Sequence, residues 1–139
     1  MEMEHQLTIV SRTNNFIDIR RNGSSVGTIT TTLSATAYNT SSDYRLKENV
    51  APMTGALATV AQLKPVTYTW KVDGSDGQGF IAHELQAVVP DCVTGEKDAV
   101  DADGKPVYQG IDTSFLVATL TAAIQELKAE FDAYKASHP

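Results

Sequence analysis

The sequence predicts an α+β protein in two parts: a β-rich N-terminal segment, residues 1–42, and a small α+β domain, residues 43–139, that closes in a long helix. Three observations lead there. Short apolar or alternating runs punctuated by Asn and Gly fill the first forty residues. A strict period-two stretch, Val66 to Val72, stands in the middle. From Asp112 onward apolar residues recur at spacings of three and four.

In the first part, Leu7-Thr8-Ile9-Val10, Phe16-Ile17-Asp18-Ile19 and Val26-Gly27-Thr28-Ile29 read as strands. Asn14-Asn15 and Asn22-Gly23-Ser24-Ser25 read as turns, and Asn22-Gly23 suits a tight hairpin because both residues tolerate positive φ. Thr28 to Ala37 holds a single Leu among Thr, Ser and Ala besides Ile29, too little apolar bulk to build a core within one chain. It is either a linker or a strand that needs partner copies.

Beyond residue 43, Thr54 is placed to cap a short helix with Leu57, Val60, Ala61 and Leu63 on one face, ended by Lys64-Pro65. Val66, Tyr68, Trp70 and Val72 then alternate with Thr67, Thr69 and Lys71, a half-buried strand. Asp73 to Gly77 forms a turn, and Gly79-Phe80-Ile81-Ala82 returns as a second strand. A helix over His83 to Val88 stops at Pro90. Cys92-Val93-Thr94 and Val107 to Ile111 read as short strands around an exposed acidic loop, Gly95 to Pro106. In the closing helix, started by Asp112, Thr113 or Ser114, the row Val117, Leu120, Ile124, Leu127, Phe131, Tyr134 makes a heptad seam, with Glu130 and Lys135 flanking it and Lys128 on the wet edge. Such a row packs either on its own domain or against other copies.

The charge balance narrows the function. A net charge of −6, with eleven scattered Lys and Arg, opposes a nucleic-acid surface. No apolar run is long enough for a membrane span, and Met1 to His5 lacks the regions of a signal peptide, so a soluble chain with no membrane partner is expected. The one cysteine, Cys92, reads as a small buried apolar residue. His83-Glu84 has no second histidine one turn on, Asp73 to Gly77 has no closing Glu for a calcium loop, and neither phosphate-binding glycine signature occurs. No metal and no cofactor are expected.

At the junction stands Ser42-Asp43-Tyr44-Arg45-Leu46-Lys47-Glu48-Asn49. This stretch resembles the Ser-Asp-x-Arg-x-Lys-x-Asn signature that opens the C-terminal intramolecular chaperones of phage tail spikes and tail fibres, the self-cleaving endosialidase-type family. Leu63 to Trp70, Gly79 to Leu85 with Val89-Pro90, and Tyr108 leading to a helix with Ala123-Ile124-Gln125-Glu126-Leu127 agree in order and spacing. The resemblance implies a homotrimer closed by a coiled coil, acting on the upstream β-fibre of the same polypeptide. It implies cleavage between Ser42 and Asp43, with Ser42 and Lys47 as a catalytic pair. It also implies a fibre part that stays in the virion and a chaperone released during assembly in the host cytoplasm.

The residue types suit that chemistry. A serine hydroxyl becomes nucleophilic when a base removes its proton, and a lysine serves when it is neutral. Burial disfavours an ammonium group and lowers a lysine's pKa from about 10.4 toward about 7 or 8, so the base must sit in a dry place that docking of subunits can create. Attack by Ser42 on its own carbonyl would close a strained four-membered ring. The open routes are Ser42 of a neighbouring copy, the Asp43 carboxylate through a six-membered ring, or a water activated by Lys47 with Ser42 assisting. Asn49 and His83 are polar candidates for holding an oxyanion, and Arg45 for clamping a carboxylate. The expected function is therefore a self-cleaving, single-turnover serine endopeptidase that is also a trimeric folding device. The alternative is a structural trimerisation or receptor-binding tip that is never cut.

Overall fold

The computed structural model describes residues 7–8 and 15–138. The chain divides into two compact units, Met1–Ala51 and Pro52–Pro139. That structural boundary lies downstream of the 42/43 junction read from the sequence.

The first unit is an antiparallel sheet of four strands in chain order: β1 (Leu7–Thr8), β2 (Asn15–Arg21), β3 (Ser24–Thr31) and β4 (Thr36–Thr40). The expected strand positions Ile9 and Val10, and the turn residue Asn14, lie outside the described residues. Asn22 (φ 51°) and Gly23 (φ 78°) make the two-residue turn that pairs Arg21 with Ser24, the left-handed backbone that matches strand twist. At the next turn the Thr32 hydroxyl accepts from the Ser34 and Ala35 amides at 3.2 and 3.0 Å. Thr28 to Ala37 is thus hairpin rather than linker, because threonine's branched side chain favours the pleated backbone even without bulk to bury.

Register sorts the side chains of this sheet. Ile17 stands opposite Ile29, and Ile29 opposite Tyr38, giving one apolar row across three strands. On the other face Asp18 stands opposite Thr28 and Thr28 opposite Asn39, whose amide donates to the Thr28 and Thr30 hydroxyls at 3.3 and 3.2 Å. Among the described residues of this unit none is buried, and Tyr38 keeps 80% of its surface exposed. The apolar row has no covering layer within the described unit.

The second unit begins with α1 (Ala56–Val60). Thr54 does not cap it. Gly55 holds the N-cap position, without a side chain to offer, and the carboxylate of Glu126 accepts from the Ala56 and Leu57 amides at 3.1 and 2.7 Å. Leu57, Val60 and Leu63 turn inward as expected, while Ala61 is exposed.

The hairpin β5 (Val66–Thr69) with β6 (Asp76–Gly79) corrects two sequence readings. The strand ends before Trp70, because a turn closes there: the Trp70 amide donates to Ser75 O and the Gly74 amide to Trp70 O, each at 2.8 Å. Val72, at 88% exposure, lies in that turn, and the return strand starts at Asp76 rather than Gly79. The Tyr68 ring lies over Gly77 so closely that a β-carbon there would sit 2.7 Å from it, so a side chain at this position would push the ring aside.

Phe80 and Ile81 lead into α2 (Ala82–Gln86), shorter than the expected helix to Val88. Pro90–Cys92 form a 3₁₀ turn, after which β7 (Val93–Thr94) pairs with β8 (Gly110–Ile111). The expected strand over Val107 to Ile111 shrinks to its last two residues. The intervening loop is mostly exposed and is pinched by a bridge between Val100 and Pro106.

Asp112 caps a 3₁₀ turn, Thr113–Phe115, by accepting from the Ser114 amide at 2.9 Å, and α3 follows as 22 residues, Leu116–Ser137. Two small clusters make the core: Ala56 with Ala122 and Ala123, bordered by Leu57 and Val60, and Leu85 with Cys92 and Leu116, bordered by Leu63, Phe80, Val89 and Val93. Burial beside Asp112 and Asp91 pushes the Cys92 thiol up, as suits a packed rather than a reactive thiol.

The face that α3 turns to α1 is its alanine face, and the heptad row points elsewhere. Val117, Leu120, Ile124, Leu127, Phe131 and Tyr134 are between 41% and 67% exposed. The reading in which this row packs on its own domain does not hold. Lys128 pairs with Asp132 at 2.5 Å, and the Lys135 ammonium lies 5.7 Å from the centre of the Phe131 ring.

Candidate active site

The junction signature folds on itself by a few local bonds. Asp43 is extended (φ −63°, ψ 137°) and caps a 3₁₀ turn, Tyr44–Leu46, by accepting from the Arg45 amide at 2.9 Å. The turn closes through the Leu46 amide on Asp43 O and the Lys47 amide on Tyr44 O, each at 3.1 Å. Reversal of the chain over so few residues brings the ammonium end of Lys47 back to Ser42. Lys47 Nζ donates to Ser42 Oγ at 2.7 Å.

Arg45 holds Asp43 with both prongs of its guanidinium: Nε to Oδ1 at 2.9 Å and Nη2 to Oδ2 at 2.8 Å. These bonds keep the Asp43 carboxyl below its usual range and raise the guanidinium in turn. The clamp fixes the residue that follows the candidate scissile bond, with both carboxylate oxygens engaged.

Ser42, Asp43, Arg45 and Lys47 are thus gathered in one turn, and all are exposed. Asn49 is exposed with φ 51°, a left-handed backbone that asparagine adopts more readily than bulkier residues. Its conformation shapes the exit from the turn. His83 stands on α2 in the second unit, exposed, in a groove with Lys97, Asp98, Tyr108 and Gln109. Among the described residues no group of three or more His, Cys, Asp or Glu is arranged to hold a metal, and no helix is long and apolar enough to cross a membrane.

A serine hydroxyl in contact with a lysine, next to a peptide bond whose far side is clamped, has the parts of a site for peptide-bond cleavage. Residues 42–94 match the model of the peptidase family described as chaperone of endosialidase. The likeness read from the signature is therefore supported from Ser42 through the hairpin, α2 and β7. The match ends before Tyr108 and α3, which the sequence reading includes. No curated protein matches the chain.

The sequence reading does not find Glu126. Its signal is indirect: a short helix that begins at a glycine with no capping side chain, and a glutamate in line with Thr119, Ala122 and Ala123 on the closing helix.

Proposed function

We propose that this chain joins the end of a phage tail fibre or spike to a trimeric intramolecular chaperone, and that the chaperone is released by self-cleavage between Ser42 and Asp43. The observation that carries the reading is the 2.7 Å contact of Lys47 with Ser42 inside the stretch that matches the family. Two further features support it. The apolar row Ile17, Ile29, Tyr38 on the first unit and the heptad row on α3 are both left open to partner copies. One assembly of identical chains covers both.

Lys47 is exposed in the single chain, and to act as a base it must accept the Ser42 proton as a neutral amine. Docking of subunits that removes water from this turn favours the neutral form and turns the bond from a donation by lysine into one by serine. Cleavage then follows assembly. Packing of the chaperone offsets the entropy of bringing three weakly cored sheets into register, a slow step for non-local β pairing.

The second reading is a structural trimerisation or receptor-binding tip that keeps its C-terminal domain; the exposure of the pair in the single chain favours it. A denaturing gel with N-terminal sequencing separates the two. Release of a fragment beginning at Asp43, abolished by Ser42→Ala and slowed by Lys47→Ala, supports the peptidase. A stable full-length band after assembly supports the uncut tip.

A further inference from the structure

We propose that Glu126 selects how α3 assembles, by fastening α1 across the alanine face of that helix so that the Val117–Tyr134 row is the face offered to other copies. The inference rests on the seam reading given above and extends it to the residue that enforces it.

The geometry is specific. α3 has two faces on which another helix can pack. The large one carries Val117, Leu120, Ile124, Leu127, Phe131 and Tyr134, all exposed. The small one carries Thr119, half-buried, and Ala122 and Ala123, which are buried at 9% and 4% exposure in the cluster that α1 completes. A helix with small residues along one side lets another helix approach closely, so an uncovered alanine face would compete with the seam for partner helices. One must be hidden for a single register to result.

α1 hides it, yet α1 cannot hold itself there. Five residues are far too few for a stable helix alone. Its first amides would be orphans, because the N-cap is Gly55. Glu126 reaches these amides from seventy positions along the chain, with Oε1 on Ala56 N at 3.1 Å and Oε2 on Leu57 N at 2.7 Å. One ionised side chain thus caps α1 and ties it to the middle of α3, where a negative charge also suits the positive end of a helix. The Leu57 and Ala56 amides keep the carboxyl of Glu126 below its usual range. α1 itself, Ala56-Leu57-Ala58-Thr59-Val60, has no charged residue to compete for it.

The full chain tests this with Glu126→Ala and Glu126→Gln, read by hydrogen exchange at the Ala56 and Leu57 amides and by molar mass from light scattering. In the wild type these amides are expected to be protected and the protein to form one oligomer. In Glu126→Ala their protection is expected to drop at least tenfold and the single species to give way to a mixture of masses, while protection around Leu85 and Cys92 persists. Glu126→Gln keeps the length and one carbonyl oxygen, so it is expected to restore part of the protection and of the uniform mass. Unchanged protection in Glu126→Ala overturns the fastening, and lost protection with an unchanged oligomer overturns the selection. A wild type that is monomeric at all concentrations, with the amides protected, instead contradicts the seam reading on which the selection rests.

Discussion

Ser42 and Lys47 meet in the single chain, but their contact is wet, and this contrast separates positioning from activation. A turn of three residues supplies the positioning; in the proposed function, removal of water on docking supplies the rest. Lys47→Arg discriminates between them, because a guanidinium keeps charge and reach but does not give up its proton. Release of the fragment, followed by mass, is expected to stop in this variant, as is expected for Ser42→Ala. Asp43 is held on both oxygens by Arg45, so it is poorly placed to attack. Asp43→Asn is accordingly expected to slow release by less than the ~10²-fold that loss of a positioned acid–base group costs; a loss as deep as that of Ser42→Ala would assign the attack to the carboxylate. Glu126 carries a pH prediction. Its carboxyl is lowered in the folded state from 4.5 by the Leu57 and Ala56 amides, so its contribution is complete above that value and is lost as pH falls through the lower folded one. Protection of those two amides is expected to fall on acidification below 4.5 in the wild type and to be flat over the same range in Glu126→Gln.

The elements that could be read from the chain are those fixed by neighbours in sequence. Asn22-Gly23 specified a hairpin because only two backbone angles had to agree. The signature and the long closing helix were legible for similar reasons; of the candidates Asp112, Thr113 and Ser114, it is Asp112 that caps, and it caps the 3₁₀ turn ahead of the helix, whose own N-cap is Phe115. What escaped was decided by bonds across distance or by competing turns. Alternation continues through Trp70 and Val72, yet the backbone bonds of the 70–75 turn end the strand first. The cap of α1 comes from α3, which no local pattern announces. In the site, proximity of Ser42 and Lys47 was implied by the resemblance, whereas the two-pronged clamp on Asp43 depends on the fold of the turn. The small core makes a further prediction. Leu85, 2% exposed beside Cys92 and Leu116, joins α2 to the start of α3, and Leu85→Ala is expected to cost ~2–5 kcal/mol in urea unfolding. A loss under ~1 kcal/mol would mean that this cluster collapses around the gap and does not anchor α3.

The described residues present two unfinished surfaces, a sheet row built on isoleucine and tyrosine and a helical seam. Each belongs to a different unit, and each is typical of contacts that identical copies complete. Under the proposed function, release of the chaperone would take from the fibre strands the element that let them find register, and the cut assembly would be held by a kinetic barrier. Thermal unfolding of cut and uncut trimers is expected to be slower in the cut form; equal rates would remove kinetic trapping from the account. Under the proposed function, docking of copies makes the 42–43 bond fragile. The most direct measurement is the intact mass of the chain over time, for the wild type and for Ile124→Asp, which puts a charge in the middle of the seam. On that reading a fragment starting at Asp43 is expected from the assembled wild type and an unbroken chain from the unassembled variant. Equal cleavage in both, or an assembled wild type that stays whole, would contradict it.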